Sequence, residues 1–146
     1  MNDFHGYYLE DLAVGMSASY AKTITDADIV LFAGISGDTN PVHLNQEFAS
    51  QTMFKDRIAH GMLSASFTST VLGTKLPGPG CIYLSQNIKF KAPVKVGDTV
   101  LAKVTVTEIQ PEKRRVHLKT DCLVKETLVI DGEAVVMVDS KASGAF

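Results

Sequence analysis

The chain has 146 residues, a net charge of -2, an apolar fraction of 45% and a charged fraction of 21%. That length suits a single domain over residues 1–146 with one substantial core, and the composition is that of an ordinary soluble globular protein. Near-neutral charge without a basic cluster or aromatic ladder argues against nucleic-acid binding. The longest uncharged stretch before Lys75 begins at Ile58 and is full of Ser, Thr and Gly. It reads as a buried helix rather than a membrane span. Met1-Asn2-Asp3-Phe4-His5 lacks the regions of a signal peptide. Cys81 and Cys122 have no metal-like spacing. The expectation is a cytoplasmic protein with two free thiols.

In chain order, a strand is predicted around Ala18 to Ile24. Thr25-Asp26-Ala27-Asp28 has the form of a capping box, with Thr25 as N-cap. Ile29, Val30, Phe32 and Ala33 give the helix behind it an apolar face, and Gly37 is placed to end it. Gly37 and Pro41 then predict an irregular stretch, and residues 44–52 a second short helix. Gly61 opens a third helix through Met62, Leu63, Ala65, Phe67, Val71 and Leu72, which Pro77-Gly78-Pro79-Gly80 stops. Its serines and threonines keep it slim, so that a sheet can wrap closely around it.

From Cys81 onward the period changes to two. Ile82, Leu84, Ile88 and Phe90 alternate with polar residues, which predicts a strand with one buried face. Val100, Ala102, Val104 and Val106 repeat the pattern, as do Val116, Leu118, Cys122 and Val124. A last strand covers roughly Leu128 to Val138, with Asp131-Gly132 as either a hairpin turn or a bulge. Several strands and one buried helix predict an α+β domain, an antiparallel sheet curled around the helix.

The segment Gly37-Asp38-Thr39-Asn40-Pro41-Val42-His43 carries the chemistry. It places a carboxylate, a carboxamide and an imidazole close enough to share one water, as adding or removing water across a double bond requires. Ile58-Ala59-His60-Gly61-Met62 follows, and the Gly61 N–H at a helix start can face a developing oxyanion with no side chain in the way.

These residues resemble the MaoC-like (R)-specific enoyl-CoA hydratases of the hotdog fold. The resemblance rests on Asp38-Thr39-Asn40-Pro41-Val42-His43, His60-Gly61-Met62-Leu63, Leu76-Pro77-Gly78-Pro79-Gly80 and Phe90-Lys91-Ala92-Pro93-Val94 followed by Gly97-Asp98. It covers nearly the whole chain from Leu12 to Val138. It implies that Asp38 and His43 bind the catalytic water and that the Gly61 N–H polarises the thioester carbonyl. It also implies homodimers with a continuous sheet. The implied substrate is an acyl-CoA or acyl carrier protein thioester, and no cofactor or metal is expected.

Around this centre, Asn40 either holds the loop or touches the carboxylate or the water. His60 is read as a hydrogen-bonding residue at the helix start, and His5 and His117 as surface residues. Ser64, Ser66 and Ser69 lack the surroundings of a nucleophilic serine and are read as core packing, some of them lining an acyl pocket. Lys55, Arg57, Lys89, Lys91 and Lys95 are candidate contacts for coenzyme A phosphates, although lysines on strands are mostly solvated. Three rivals remain. A hotdog thioesterase commonly needs a carboxylate on or beside the central helix, and no Asp or Glu occurs between Asp56 and Asp98. A 3-hydroxyacyl-[acyl-carrier-protein] dehydratase would use the same residues. A non-catalytic acyl-CoA binder has no use for a water-activating pair.

Overall fold

The computed structural model describes residues 3–142. Strand β1 (Ser17–Thr23) leads into α1 (Asp26–Ser36), followed by the short α2 (Pro41–Leu44) and α3 (Gln46–Ser50). The long α4 (Gly61–Thr74) precedes β2 (Ile82–Phe90), β3 (Thr99–Gln110), β4 (Arg115–Val124) and β5 (Thr127–Met137). The strands form one antiparallel sheet in the order β1-β3-β4-β5-β2, with α4 lying against β1, β3 and β4. This is the expected arrangement of a sheet curled around a central helix.

Local chemistry accounts for the helices. Thr25 Oγ1 accepts from Asp28 N, and the Asp28 carboxylate accepts from Thr25 N at 2.9 Å, closing the capping box. Gly37, at φ 77°, ends α1 in the left-handed region that favours glycine. Pro41 does not exclude helix. It opens α2 as the first helical residue, where its missing N–H costs nothing, and so His43 lies on a helical turn instead of an irregular loop. The helix predicted over 44–52 is the shorter α3, capped by Asn45, which directly follows α2.

The core lies between α4 and the sheet. Leu63, Phe67, Val71 and Leu72 face Val100, Ala102, Val104 and Val106 of β3 and Val116, Leu118 and Cys122 of β4. Each fully buried valine or leucine contributes roughly 1.5–3 kcal/mol of apolar burial. Among the α4 serines, Ser64 is buried, but Ser66 and Ser69 are exposed, contrary to the core packing expected of them. Both line an open cavity between α4 and the edge strand β2.

Strand β2 corrects a second expectation. It has the same alternation as β3, yet Ile82, Leu84 and Phe90 remain 44%, 41% and 55% exposed. It is an edge strand, paired only with β5 among the described residues, and these three side chains stay largely open to solvent. Asp131-Gly132 forms no turn, because β5 runs straight through it. The register slips instead at Val129, since Cys122 pairs with Ile130 while Leu123 pairs with Leu128. Gly132 is glycine because a Cβ there would stand 2.6 Å from Thr120 Oγ1 and 2.9 Å from Gln86 Nε2.

His5 is not a surface residue. Its side chain is 10% exposed, its Nε2 lies 2.7 Å from Asp139, and its ring stacks on Tyr8 at 4.1 Å. His117 is half-buried beside Glu108 at 3.3 Å. Both cysteines are free, Cys81 half-buried and Cys122 fully buried.

Candidate active site

Asp38, His43 and Gly61 come together at one cavity of about 470 Å³, which Phe90, Lys91 and Ile130 also line. Three short segments build it. The turn after α1 carries Asp38, whose carboxylate accepts from Asn40 N at 3.3 Å. Asn40 caps α2 by accepting from Val42 N at 3.1 Å, which aims the following turn inward and buries His43. Residues 58 and 59 are tied to the far wall, with Ile58 bridged to Lys95 and Ala59 N donating to Val94 O at 2.7 Å. The Asn40 side chain is thus engaged in holding the loop and is absent from the cavity lining.

The protonation state of His43 follows from its contacts. Nδ1 lies 2.7 Å from the Ile58 carbonyl, an acceptor, so Nδ1 carries the proton and donates. Nε2 therefore keeps its lone pair, and it has no partner among the described residues. Burial lowers the imidazole's pKa below its ordinary value and the neighbouring His60 adds to this, while the Ile58 carbonyl and Asp38 oppose it. The result is a neutral imidazole at physiological pH with one open basic nitrogen.

His60 stands behind this pair. It is 2% exposed, stacks on His43 at 3.8 Å, and donates from Nε2 to the Asp38 carbonyl at 2.9 Å. It therefore acts as the hydrogen-bonding residue expected at the helix start, tying the Asp38 turn to α4. The donor atoms of Asp38, His43 and His60 lie within 4.8 Å of one another, a grouping that invites a metal reading. The geometry does not suit one. The two rings are tilted only 26° apart, so their in-plane lone pairs run nearly side by side and do not converge on one ion.

Gly61 is the first residue of α4, where an N–H has no acceptor within the helix. The positive end of the helix dipole reinforces it as a site for negative charge. A Cβ at this position would meet the Phe90 ring at 2.5 and 2.7 Å. Phe90 is therefore the aromatic wall over the Gly61 amide, a neighbour that no local sequence signal announces. Of the candidate phosphate contacts, Arg57 is a strut: its Nε donates to the His43 carbonyl at 2.7 Å and Nη2 pairs with Asp26 at 2.7 Å. Lys95 donates to the Phe54 carbonyl, and Lys91 alone of the five lines the cavity. Helix α4 carries no carboxylate, so the arrangement lacks the helix acid of a hotdog thioesterase.

A neutral imidazole and a carboxylate within 4.8 Å of each other, on a cavity that a helix-start amide also lines, have the chemistry needed to exchange a proton with water beside a carbonyl. The MaoC-like domain model matches residues 13–127, and the chain belongs to that family. It is 60% identical over 135 residues to an (R)-specific enoyl-CoA hydratase of Rhodospirillum rubrum, covering 92% of this chain and 94% of that protein. It is 51% identical to a 3-hydroxybutyryl-CoA dehydratase of Methylorubrum extorquens, over 92% of this chain and 85% of that one. Among solved structures, the unliganded R-hydratase PhaJ1 from Pseudomonas aeruginosa superposes with a TM-score of 0.86 at 44% identity, covering 92% and 86% of the two chains.

Proposed function

We propose that the protein catalyses the reversible hydration of trans-2-enoyl-CoA to (R)-3-hydroxyacyl-CoA. The observation that carries this reading is the convergence of the Asp38 carboxylate and the open nitrogen of His43 on one cavity that also holds the Gly61 amide. The (R) outcome and the coenzyme A carrier are supported by the 60% identity to the Rhodospirillum hydratase.

In this reading one water donates one hydrogen to Asp38 and the other to His43 Nε2, which turns its lone pair toward C3 of the enoyl group. As the oxygen bonds to C3, His43 takes the proton, since an imidazole holds a proton more tightly than a carboxylate. The C2–C3 double bond shifts its electrons toward the thioester oxygen, and the Gly61 N–H and the start of α4 stabilise that charge. The enolate then collapses, C2 takes the proton from His43, and both groups return to their starting state. Water is added with no change of oxidation level, so this chemistry needs no redox cofactor.

The free edge of β2 and the exposed Ile82 and Leu84 support a homodimer paired along that strand, because an open apolar edge invites strand addition. The two unpaired thiols fit a reducing cytoplasm, and no helix among the described residues is long and apolar enough to cross a membrane. The deciding assay follows loss of the enoyl thioester by absorbance, with coenzyme A and carrier-protein substrates in parallel, and resolves the product's stereochemistry. Exclusive formation of the (S) alcohol overturns the assignment. Light scattering that gives a fully active monomer at micromolar concentration overturns the dimer.

A further inference from the structure

Open space along α4 does not end at the cavity beside Gly61. A second cavity of about 510 Å³ lies between α4 and β2, lined by Phe32, Ala65, Ser66, Tyr83, Gln86 and Ile88 among others. Among the described residues the two cavities share one lining side chain, Met62. It follows Gly61 in α4 and is 56% exposed. An unbranched thioether has three rotatable bonds and adapts to the space offered, so it can stand between two cavities or leave the way open.

Chemistry gives the substrate a direction through this space. Among the described residues Lys91 is the one lysine or arginine lining the first cavity, so a thioester whose carbonyl oxygen sits at the Gly61 amide best matches the site's charge with its phosphate-bearing carrier on that side. The acyl tail beyond C3 then points the other way, toward Met62. The second cavity is suited to receive it. Phe32, Ala65 and Ile88 are apolar, and key polar atoms of the lining are already bonded to protein. Ser66 donates to Leu63 O at 2.6 Å, Tyr83 donates to Gln86, and Gln86 donates to Thr120 at 2.8 Å. A methylene chain can pack against these groups without stranding them.

We propose that Met62 is the partition between these two cavities and determines the acyl-chain length the protein accepts. With its side chain in place the first cavity takes short acyl groups; with it displaced, the tail of a longer chain enters the second. This rests on the enoyl-thioester reading of the site.

The test compares Met62→Ala and Met62→Phe with the parent protein on crotonyl-CoA and trans-2-octenoyl-CoA. Because Met62 is largely exposed, neither change opens a hole in the core. The octenoyl-to-crotonyl ratio of kcat/KM is expected to rise about tenfold in Met62→Ala and to fall about tenfold in Met62→Phe, the scale of discrimination a pocket wall exerts on methylene groups. Dissociation constants for the saturated butyryl-CoA and octanoyl-CoA, measured by calorimetry, should shift in the same two directions, and they need no catalysis. Ratios that stay put in both variants, or move the same way in both, overturn the partition. Shifted binding ratios in a protein that hydrates neither substrate overturn the hydratase reading and leave the partition standing.

Discussion

His5 and His43 each lie beside an aspartate, and the two are wired in opposite ways. At the amino-terminal end, His5 uses both ring nitrogens: Nδ1 donates to Gly6 O at 2.9 Å and Nε2 to Asp139 at 2.7 Å. The Gly6 carbonyl and then Asp139 raise its pKa, outweighing a burial that would lower it. At the cavity, His43 uses only Nδ1, and burial lowers its pKa. A histidine with both nitrogens donated is a cationic strut, pinning the segment before β1 to the segment after β5. One with a nitrogen left open is a base waiting for a partner. Proximity to a carboxylate does not separate the two; the count of satisfied nitrogens does.

The sharpest way to break this contrast is to disable each centre in turn. Asp38→Asn and His43→Gln should each cost on the order of 10²–10⁴-fold in kcat. The double variant should lose little more than the worse single one, since both act on one water. His5→Gln should leave kcat close to the parent value in the same steady-state assay. Fully multiplicative losses at the cavity, or an equal loss at His5, would erase the distinction.

Next in size is the oxyanion donor. Gly61→Pro removes the amide N–H, and a first helical position tolerates proline. A loss of roughly 10²–10³-fold in kcat is expected, with folding verified by circular dichroism. Gly61→Ala serves as the control, because it must push the Phe90 ring aside just as proline does while keeping the donor. Its loss should be the smaller one; equal losses would assign the effect to Phe90.

Smaller effects separate the histidines by pH. The His43 pKa is lowered, so the neutral base persists as pH falls, and the acid limb of kcat/KM should lie below the ordinary histidine value of about 6.5. An acid limb above that value would mean that burial does not dominate. For His5 the sign is reversed. Its raised pKa contributes stability that is fully present below pH about 6.5 and is lost as pH rises through the folded value. Denaturant titration of His5→Gln should show a loss on the order of 1–3 kcal/mol at pH 5.5, as for hydrogen bonds to a charged group, and less at pH 8.

Much of this was legible in the chain because it is local. The Thr25 and Asp28 box, the stop at Gly37 and the start at Gly61 each depend on residues within one turn of one another, and the structure has all three. The spacing of Asp38 and His43 placed both at one site for the same reason. What escaped depends on distance. His5 and Asp139 are 134 positions apart, and no local pattern announces their pairing. The alternation in β2 matches that in β3, yet an alternating strand shows only which face can be buried, not whether anything covers it. Arg57 has the composition of a phosphate contact and serves as a brace between α1 and α2, because Asp26 and the His43 carbonyl happen to stand within its reach.

Cys122, at the inner face of β4, leads somewhere else. It is fully buried, burial pushes its thiol up to about 12, and its sulfur faces the Ser64 carbonyl at 3.6 Å. An alkylating reagent needs a thiolate and a clear approach, and the native state supplies neither. The sulfur becomes reactive only when α4 lifts from the sheet, so the rate at which a maleimide marks this position under native conditions counts those openings directly. Cys81, half-buried at the start of β2, should be marked sooner. The protein thus carries its own pair of clocks, one timing the loosening of an edge and the other the parting of helix and sheet.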